Sequence, residues 1–188
     1  MSRSLAYSIV RLFLVSAARL TTPAVKNISA MYKQQNSDAA NRPRLTVAAV
    51  AEMNGRFLFV EERLRNGELV INQPAGHVEH GETLLEAVVR ETLEETAWDF
   101  RPDFLVGVYL WQHPTTHTSF LRVTFAGGVA GRRENLELDE GIERAIWLTP
   151  EELAAQSQRH RSPLVHSALA DYLSGERYPM ALLKSLLP

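Results

Sequence analysis

Glu91, Glu94 and Glu95 stand at i, i+3 and i+4 in a stretch that otherwise reads as an amphipathic helix, and this crowding constrains the chain more than any other feature. Thr83 reads as the N-cap, and Glu86 three residues on completes a capping box. Leu85, Val88, Val89 and Thr92 recur at helical spacing as a stripe to be buried. The three carboxylates of such a helix point the same way. Like charges at that spacing cost about 0.2–0.5 kcal/mol per pair. In the C-terminal half the macrodipole disfavours each anion by a further ~0.3–1 kcal/mol. A solvated face explains the ladder of Glu86, Arg90 and Glu94, but neither Glu91 nor Glu95 has a basic residue three or four positions away. A bound divalent cation resolves the repulsion. Carboxylate oxygens select a hard ion, Mg²⁺ or Mn²⁺. The chain has no cysteine and no His-x₃-His on a predicted helix, which argues against zinc.

The remainder of the chain suits a single soluble domain. It has 188 residues, 45% of them hydrophobic and 22% charged, which excludes collagen-like, coiled-coil and wholly disordered classes. The absence of cysteine excludes disulfide scaffolds and thiol catalysis, and it suits a reducing, cytoplasmic compartment. Short apolar runs read as strands: 45–50, 56–61, 69–73, 104–112, 120–125 and 145–148. Asn54-Gly55 and Asn66-Gly67 are turn signals. Residues 131–141 read as a charged loop. Thr149-Pro-Glu-Glu152 is a second capping box with proline at the first helical position. A last helix is expected from about Ser162 to Leu173, closed by Gly175. Strands outnumber helices and the helices flank them, so an α/β (α+β) fold follows, a mixed sheet between helices.

Charge divides the chain. Residues 1–50 hold seven Lys and Arg and one acid, Asp38, for a net of +6, whereas residues 51–188 carry −8. The total of −2 does not suit a nucleic-acid polymer as partner. Residues 1–43 read as a basic extension with a polar linker from 31 onward, expected to be poorly ordered. Residues 44–188 read as the domain. The acid-free first 30 residues fit an organelle transit peptide, an amphipathic surface helix, or an upstream extension with Met31 as the start. Their apolar run, Leu12 to Ala18, falls far short of the ~20 residues of a transmembrane span.

Gly76, Glu82, Arg90, Glu91, Glu94 and Glu95 resemble the Nudix box, Gly-x₅-Glu-x₇-Arg-Glu-U-x-Glu-Glu-x-Gly-U, in which U is a bulky apolar residue. Six fixed positions at about 6% each recur by chance in a chain of this size on the order of once in 10⁵. Two positions depart from the pattern: Thr92 stands at a U position and Ala97 at the final glycine. Around the box, Asn72-Gln-Pro-Ala-Gly-His77, Arg161-Ser-Pro-Leu-Val165 and Ser174-Gly-Glu-Arg-Tyr-Pro179 resemble the phosphatase NudJ subgroup of that family. These flanking segments are expected to bear on substrate rather than on chemistry.

The resemblance implies a Nudix-type fold and hydrolysis of a phosphoanhydride in a small-molecule diphosphate. Metal held by Glu91, Glu94 and Glu95, joined by the Gly76 carbonyl, would screen the polyanion and acidify a water. Arg90 would orient the carboxylates, and Glu82 would brace the loop or complete an outer metal shell. Glu94, or a loop acid such as Glu140 or Glu143, is the candidate general base. Trp111, Tyr109, Phe120 and Arg122 are candidate substrate contacts, by stacking on a ring and by holding phosphate. His77 and His80 are read as loop hydrogen-bonders. The subgroup implies release of phosphate from nucleoside tri- and diphosphates and from thiamine and hydroxymethylpyrimidine diphosphates. An ADP-ribose-type pyrophosphatase is the alternative, to which Pro114, sixteen residues past Trp98, points weakly. A non-catalytic nucleotide-binding regulator is the third reading. Either a monomer or a homodimer is compatible with the sequence.

Overall fold

Alternating small and branched apolar residues give strand β1 (Arg44–Met53) two buried faces. In the computed structural model residues 42–187 are described, and the readings made above for the extension lie outside them. β1 organises the sheet by pairing with three strands. It joins β2 (Arg56–Arg63) antiparallel across Asn54-Gly55, both at positive φ as a type I′ turn requires. It also pairs antiparallel with the short β4 (Ala75–His77) and parallel with β6 (Ser119–Arg132). β2 is flanked by β3 (Leu69–Asn72) and β7 (Ile142–Leu148), and β6 pairs antiparallel with β5 (Trp98–Gln112). The result is a seven-stranded mixed sheet between helices.

Each face of the sheet has its own core. Val47, Ala49, Leu58, Val123 and Phe125 pack with Ala87 and Val88 of helix α1 (Leu84–Thr96). On the other side Val50, Phe59 and Val106 pack with Leu153 of α2 (Pro150–Ala154) and Val165 and Leu169 of α3 (Pro163–Ser174). Both predicted capping boxes form, Thr83 with Glu86 and Thr149 with Glu152. Ser162 is the N-cap of α3 and Gly175 its left-handed C-cap. No helix among the described residues is long and apolar enough to cross a membrane.

Three features differ from the sequence reading. β5 and β6 run well beyond the predicted 104–112 and 120–125. Pro102 and Gly127 interrupt their apolar runs, yet the pair continues through a register shift there. Gly127 allows this because a Cβ at that position would lie 1.9 Å from the Arg101 carbonyl oxygen. The buried stripe of α1 is also rotated. Val88 and Thr92 are buried as predicted, but Leu85 and Val89 are 37% and 36% exposed, and Ala87 and Glu91 take their places. Last, Glu86 does not join Arg90 in a ladder; its carboxylate accepts from the Thr83 amide and hydroxyl.

Glu61 of β2 is a charged group the sheet buries, at 4% exposure. Its oxygens accept from Arg144 Nε at 2.6 Å and Arg159 Nη2 at 2.5 Å. Burial pushes its carboxyl up, but the two guanidinium hydrogen bonds and charges outweigh that and hold it below the usual carboxylate range. A carboxyl depressed in the folded state adds stability above its unfolded pKa of ~4.3, and that stability is lost as pH falls through the folded value. Glu61→Gln is therefore expected to lower the unfolding free energy by about 1–3 kcal/mol at pH 7. Urea denaturation at pH 7 and pH 3.5 checks this, with the gap between variant and parent narrowing at the lower pH.

Candidate active site

The C-terminal half of α1 lies against β4, and glycine makes that approach possible. A Cβ on Gly76 would fall 2.0–2.2 Å from the three carboxylate atoms of Glu91. Glu91 is only 8% exposed, and burial, the first of several opposing influences, pushes its carboxyl up. One turn on, Glu95 receives the Ala75 amide at 2.8 Å. Burial, with the charges of Glu91, Glu62 and Asp139, still pushes the Glu95 carboxyl up to about 8, although the Ala75 hydrogen bond works against it.

Arg90 is the hub of the acidic face. Its Nε and Nη2 donate to the two oxygens of Glu82 at 3.0 and 2.6 Å. Nη1 donates to Glu91 and to Glu94, each at 2.9 Å, and Nη2 also reaches the His77 carbonyl at 3.1 Å. Glu82 in turn accepts from the Glu79 amide at 2.6 Å, so it ties the loop before the helix to the guanidinium.

Asp139 was not singled out from sequence, and it completes the cluster. One carboxylate oxygen from each of Glu91, Glu94 and Asp139 lies within 4.8 Å of the others. The Asp139 amide donates to the Glu94 carbonyl at 3.1 Å, and Ile142 N–H returns to the Asp139 carbonyl at 3.0 Å. Gly141, at φ +90°, makes that turn possible. The loop carries several acids, and nothing in their spacing marks the one that the turn directs at the helix. Of the two acids favoured from sequence, Glu140 lines the same cavity, whereas Glu143 bonds Arg63 Nε at 2.5 Å outside it.

The cavity has a volume of about 630 Å³ and brings together Gly76, Glu91, Glu94, Glu95, Asp139 and Glu140. Trp111, Phe120 and Arg122 line it too, as do Thr46, Asn72 and Arg161. Trp111 and Phe120 stack at 5.6 Å with an interplanar angle of 27°. Arg122 is a half-buried cation, which desolvation pulls down to about 10. An adjoining recess shares Trp111, His113, Arg161 and Ser162 and includes Pro114. Tyr109 instead bonds Asp171 at 2.8 Å, away from this cavity. The Ser174–Pro179 segment contributes nothing to the lining. Arg177 sits 4.4 Å from the ring of Phe104 and 4.1 Å from that of Tyr172, and Tyr178 forms a bridge with Leu105. That segment clasps the fold outside the cavity. His77 contributes its backbone carbonyl to Arg90.

A mixed sheet carrying an acid-crowded helix end above a cavity that also holds a cationic and two aromatic groups offers donors for a divalent cation and for an anionic ligand. The NUDIX domain profile matches residues 41–167. Phosphatase NudJ of Escherichia coli strain K12 is 39% identical over 142 residues, 76% of this chain and 91% of the relative. A NUDIX hydrolase structure from Nitrosomonas europaea is 43% identical with a TM-score of 0.75, covering 77% of this chain and 97% of that one. The MutT NUDIX hydrolase from Burkholderia pseudomallei shares the fold at 19% identity, TM-score 0.56, over 71% of this chain and 98% of its own. The chain belongs to the Nudix hydrolase family.

Gly76→Ala is expected to leave the fold intact, because the colliding atoms are the far end of one side chain, and to push the Glu91 carboxylate aside. Mn²⁺ affinity, followed by calorimetry, is expected to fall by about 10–100-fold. Unchanged affinity would show that Glu91 does not need its present position to hold a cation.

Proposed function

We propose that the protein is a Mg²⁺-dependent hydrolase of phosphoanhydride bonds in nucleoside tri- and diphosphates and thiamine-type diphosphates, releasing phosphate. One observation carries the reading: the carboxylates of Glu91, Glu94 and Asp139 converge within 4.8 Å in a cavity shared with Arg122, Trp111 and Phe120. The donor set fits a hard divalent ion. It is all oxygen, it is crowded beyond what Arg90 neutralises, and Gly76 leaves room for the Glu91 carboxylate beside its own carbonyl. Mg²⁺, when bound, supplies charge screening at the phosphates and a more acidic water; Mn²⁺ suits the same donors.

The chain's own residues have separable tasks in this reading. Glu91, Glu94, Glu95 and Gly76 would hold the ion together with Asp139. Arg90 is a positioning residue, since its guanidinium fixes the carboxylates of Glu82, Glu91 and Glu94 relative to the His77 carbonyl. Glu94 and the exposed Glu140 are the acids open enough to take a proton from the attacking water, while Glu95 is largely enclosed beside the Ala75 amide. Trp111 and Phe120 offer a stacked surface for a heteroaromatic ring, and Arg122 a cation for phosphate.

The NudJ likeness supports phosphate release from nucleotides and thiamine-type substrates. The recess containing Pro114 gives a larger sugar-nucleotide a place beside Trp111, which keeps ADP-ribose as the second reading. A regulator without catalysis is disfavoured, because every carboxylate of the box is present. The cysteine-free composition supports a cytoplasmic setting, with the enzyme acting as monomer or homodimer.

Orthophosphate released from GDP, against AMP released from ADP-ribose, separates the two substrate readings. Glu95→Gln is expected to reduce Mg²⁺-dependent turnover by about 10²–10⁴-fold while the thermal midpoint moves little. A variant that keeps full turnover would overturn the metal assignment.

A further inference from the structure

Arg122 is a half-buried cation, two of whose guanidinium nitrogens are sealed without a partner among the described residues. It lies near the start of β6, in register with Thr46 of β1 on one side and Tyr109 of β5 on the other. Its Nε and Nη1 are sealed from solvent and have no hydrogen-bond partner among the described residues. The arginines that serve the fold behave differently. Arg90, Arg144 and Arg159 each reach a carboxylate within 3 Å. Arg122 has no ion pair among the described residues, so a structural salt bridge does not account for it.

Its surroundings share the same deficit. Thr46 is 3% exposed and Asn72 6%, and both line the cavity with Arg122. Thr46 Oγ1 and Asn72 Oδ1 also lack partners among the described residues. Leaving such groups unsatisfied is costly, most of all for the charged one. The part of Arg122 that remains accessible borders the cavity, so a cavity ligand is what answers the charge. A neutral ring edge supplies hydrogen-bond acceptors but no countercharge. A phosphoryl group supplies both, and the planar guanidinium matches its oxygens. The Thr46 hydroxyl can donate to the same group, and a half-turn of the Asn72 amide presents its N–H donors.

We propose that Arg122, Thr46 and Asn72 form a phosphoryl subsite that works without a divalent cation, holding one phosphate of the substrate and then orthophosphate after release. This deepens the hydrolase reading and rests on it for the source of the anion, but its test needs neither metal nor turnover. The full chain in excess EDTA is titrated with inorganic phosphate, followed by calorimetry and by thermal unfolding. Wild type is expected to bind phosphate saturably and to gain in thermal midpoint with phosphate concentration. Arg122→Met is expected to bind at least about tenfold more weakly and to lose that gain. Without phosphate its midpoint is expected to equal or exceed that of wild type, because an unpaired charge has gone.

Failure of EDTA-treated wild type to bind phosphate would overturn the proposal, as would equal binding by Arg122→Met. Equal stabilisation by acetate at the same ionic strength would overturn the phosphoryl assignment. Should Arg122→Met fold poorly, Thr46→Val gives the second arm: weaker phosphate binding there supports the subsite, and undiminished affinity would overturn it as proposed. Phosphate binding that persists when no diphosphate is hydrolysed in Mg²⁺ would sink the hydrolase reading and leave the subsite standing.

Discussion

The site is built around one guanidinium. Arg90 gathers Glu82, Glu91, Glu94 and the His77 carbonyl, with four of its hydrogen bonds between 2.6 and 3.0 Å. Charge-assisted bonds of this kind contribute about 1.5–3 kcal/mol each. The like-charge repulsion on the helix costs about 0.2–0.5 kcal/mol per pair. The hydrogen bonds therefore win, and α1 can end in acids without unravelling. They raise the Arg90 pKa far above its usual range, led by the Glu82 bond. The same guanidinium anchors Glu82, hence the loop, hence β4, so the position of Gly76 beneath Glu91 depends on it.

What Arg90 leaves uncompensated defines the chemistry. Glu95 is beyond its reach and relies on the Ala75 amide, which does not overcome burial. Asp139 brings a further negative group toward Glu91 and Glu94 with no arginine of its own among the described ion pairs. Three arginine-bound carboxylates would be a structural cluster. Two more acids beside them make an excess of negative charge that suits a cation which itself attracts phosphate. Arg122 is the converse excess in the same cavity. A cavity with unmatched charges of both signs is complementary to a metal-bound polyanion rather than to either ion alone.

Much of this was legible in the chain. Both capping boxes, the Asn54-Gly55 hairpin and the Gly175 cap follow from local hydrogen-bonding and backbone sterics, and they form where expected. The rotation of α1 was not legible, because periodicity ranks Leu85 and Val89 above a glutamate for burial. Tertiary contact decides otherwise. Arg90 and the bare Cα of Gly76 make the buried place of Glu91 tolerable, and the helix turns to suit it. Asp139 and the clasp at Ser174–Pro179 were hidden for a related reason. Each depends on a long-range partner, the Glu94 carbonyl or the rings of Phe104 and Tyr172, that no local pattern encodes.

The two departures from the box show which of its positions carry shape and which carry charge. Thr92 is fully buried where an aliphatic residue is usual, and its hydroxyl donates to the Val88 carbonyl at 2.7 Å, so no polar atom is left unsatisfied. Ala97 adopts the left-handed conformation itself, at φ +62°, and its amide reaches the Leu93 carbonyl. That conformation costs a non-glycine residue about 1–2 kcal/mol. Burial of the methyl offsets about 0.8 kcal/mol of this. Alanine at positive φ stays the costlier residue, yet the helix exit keeps the left-handed geometry a glycine would take. No comparable substitute exists for Gly76, where any Cβ meets the carboxylate of Glu91, and that is why the pattern bends at its end and not at its start.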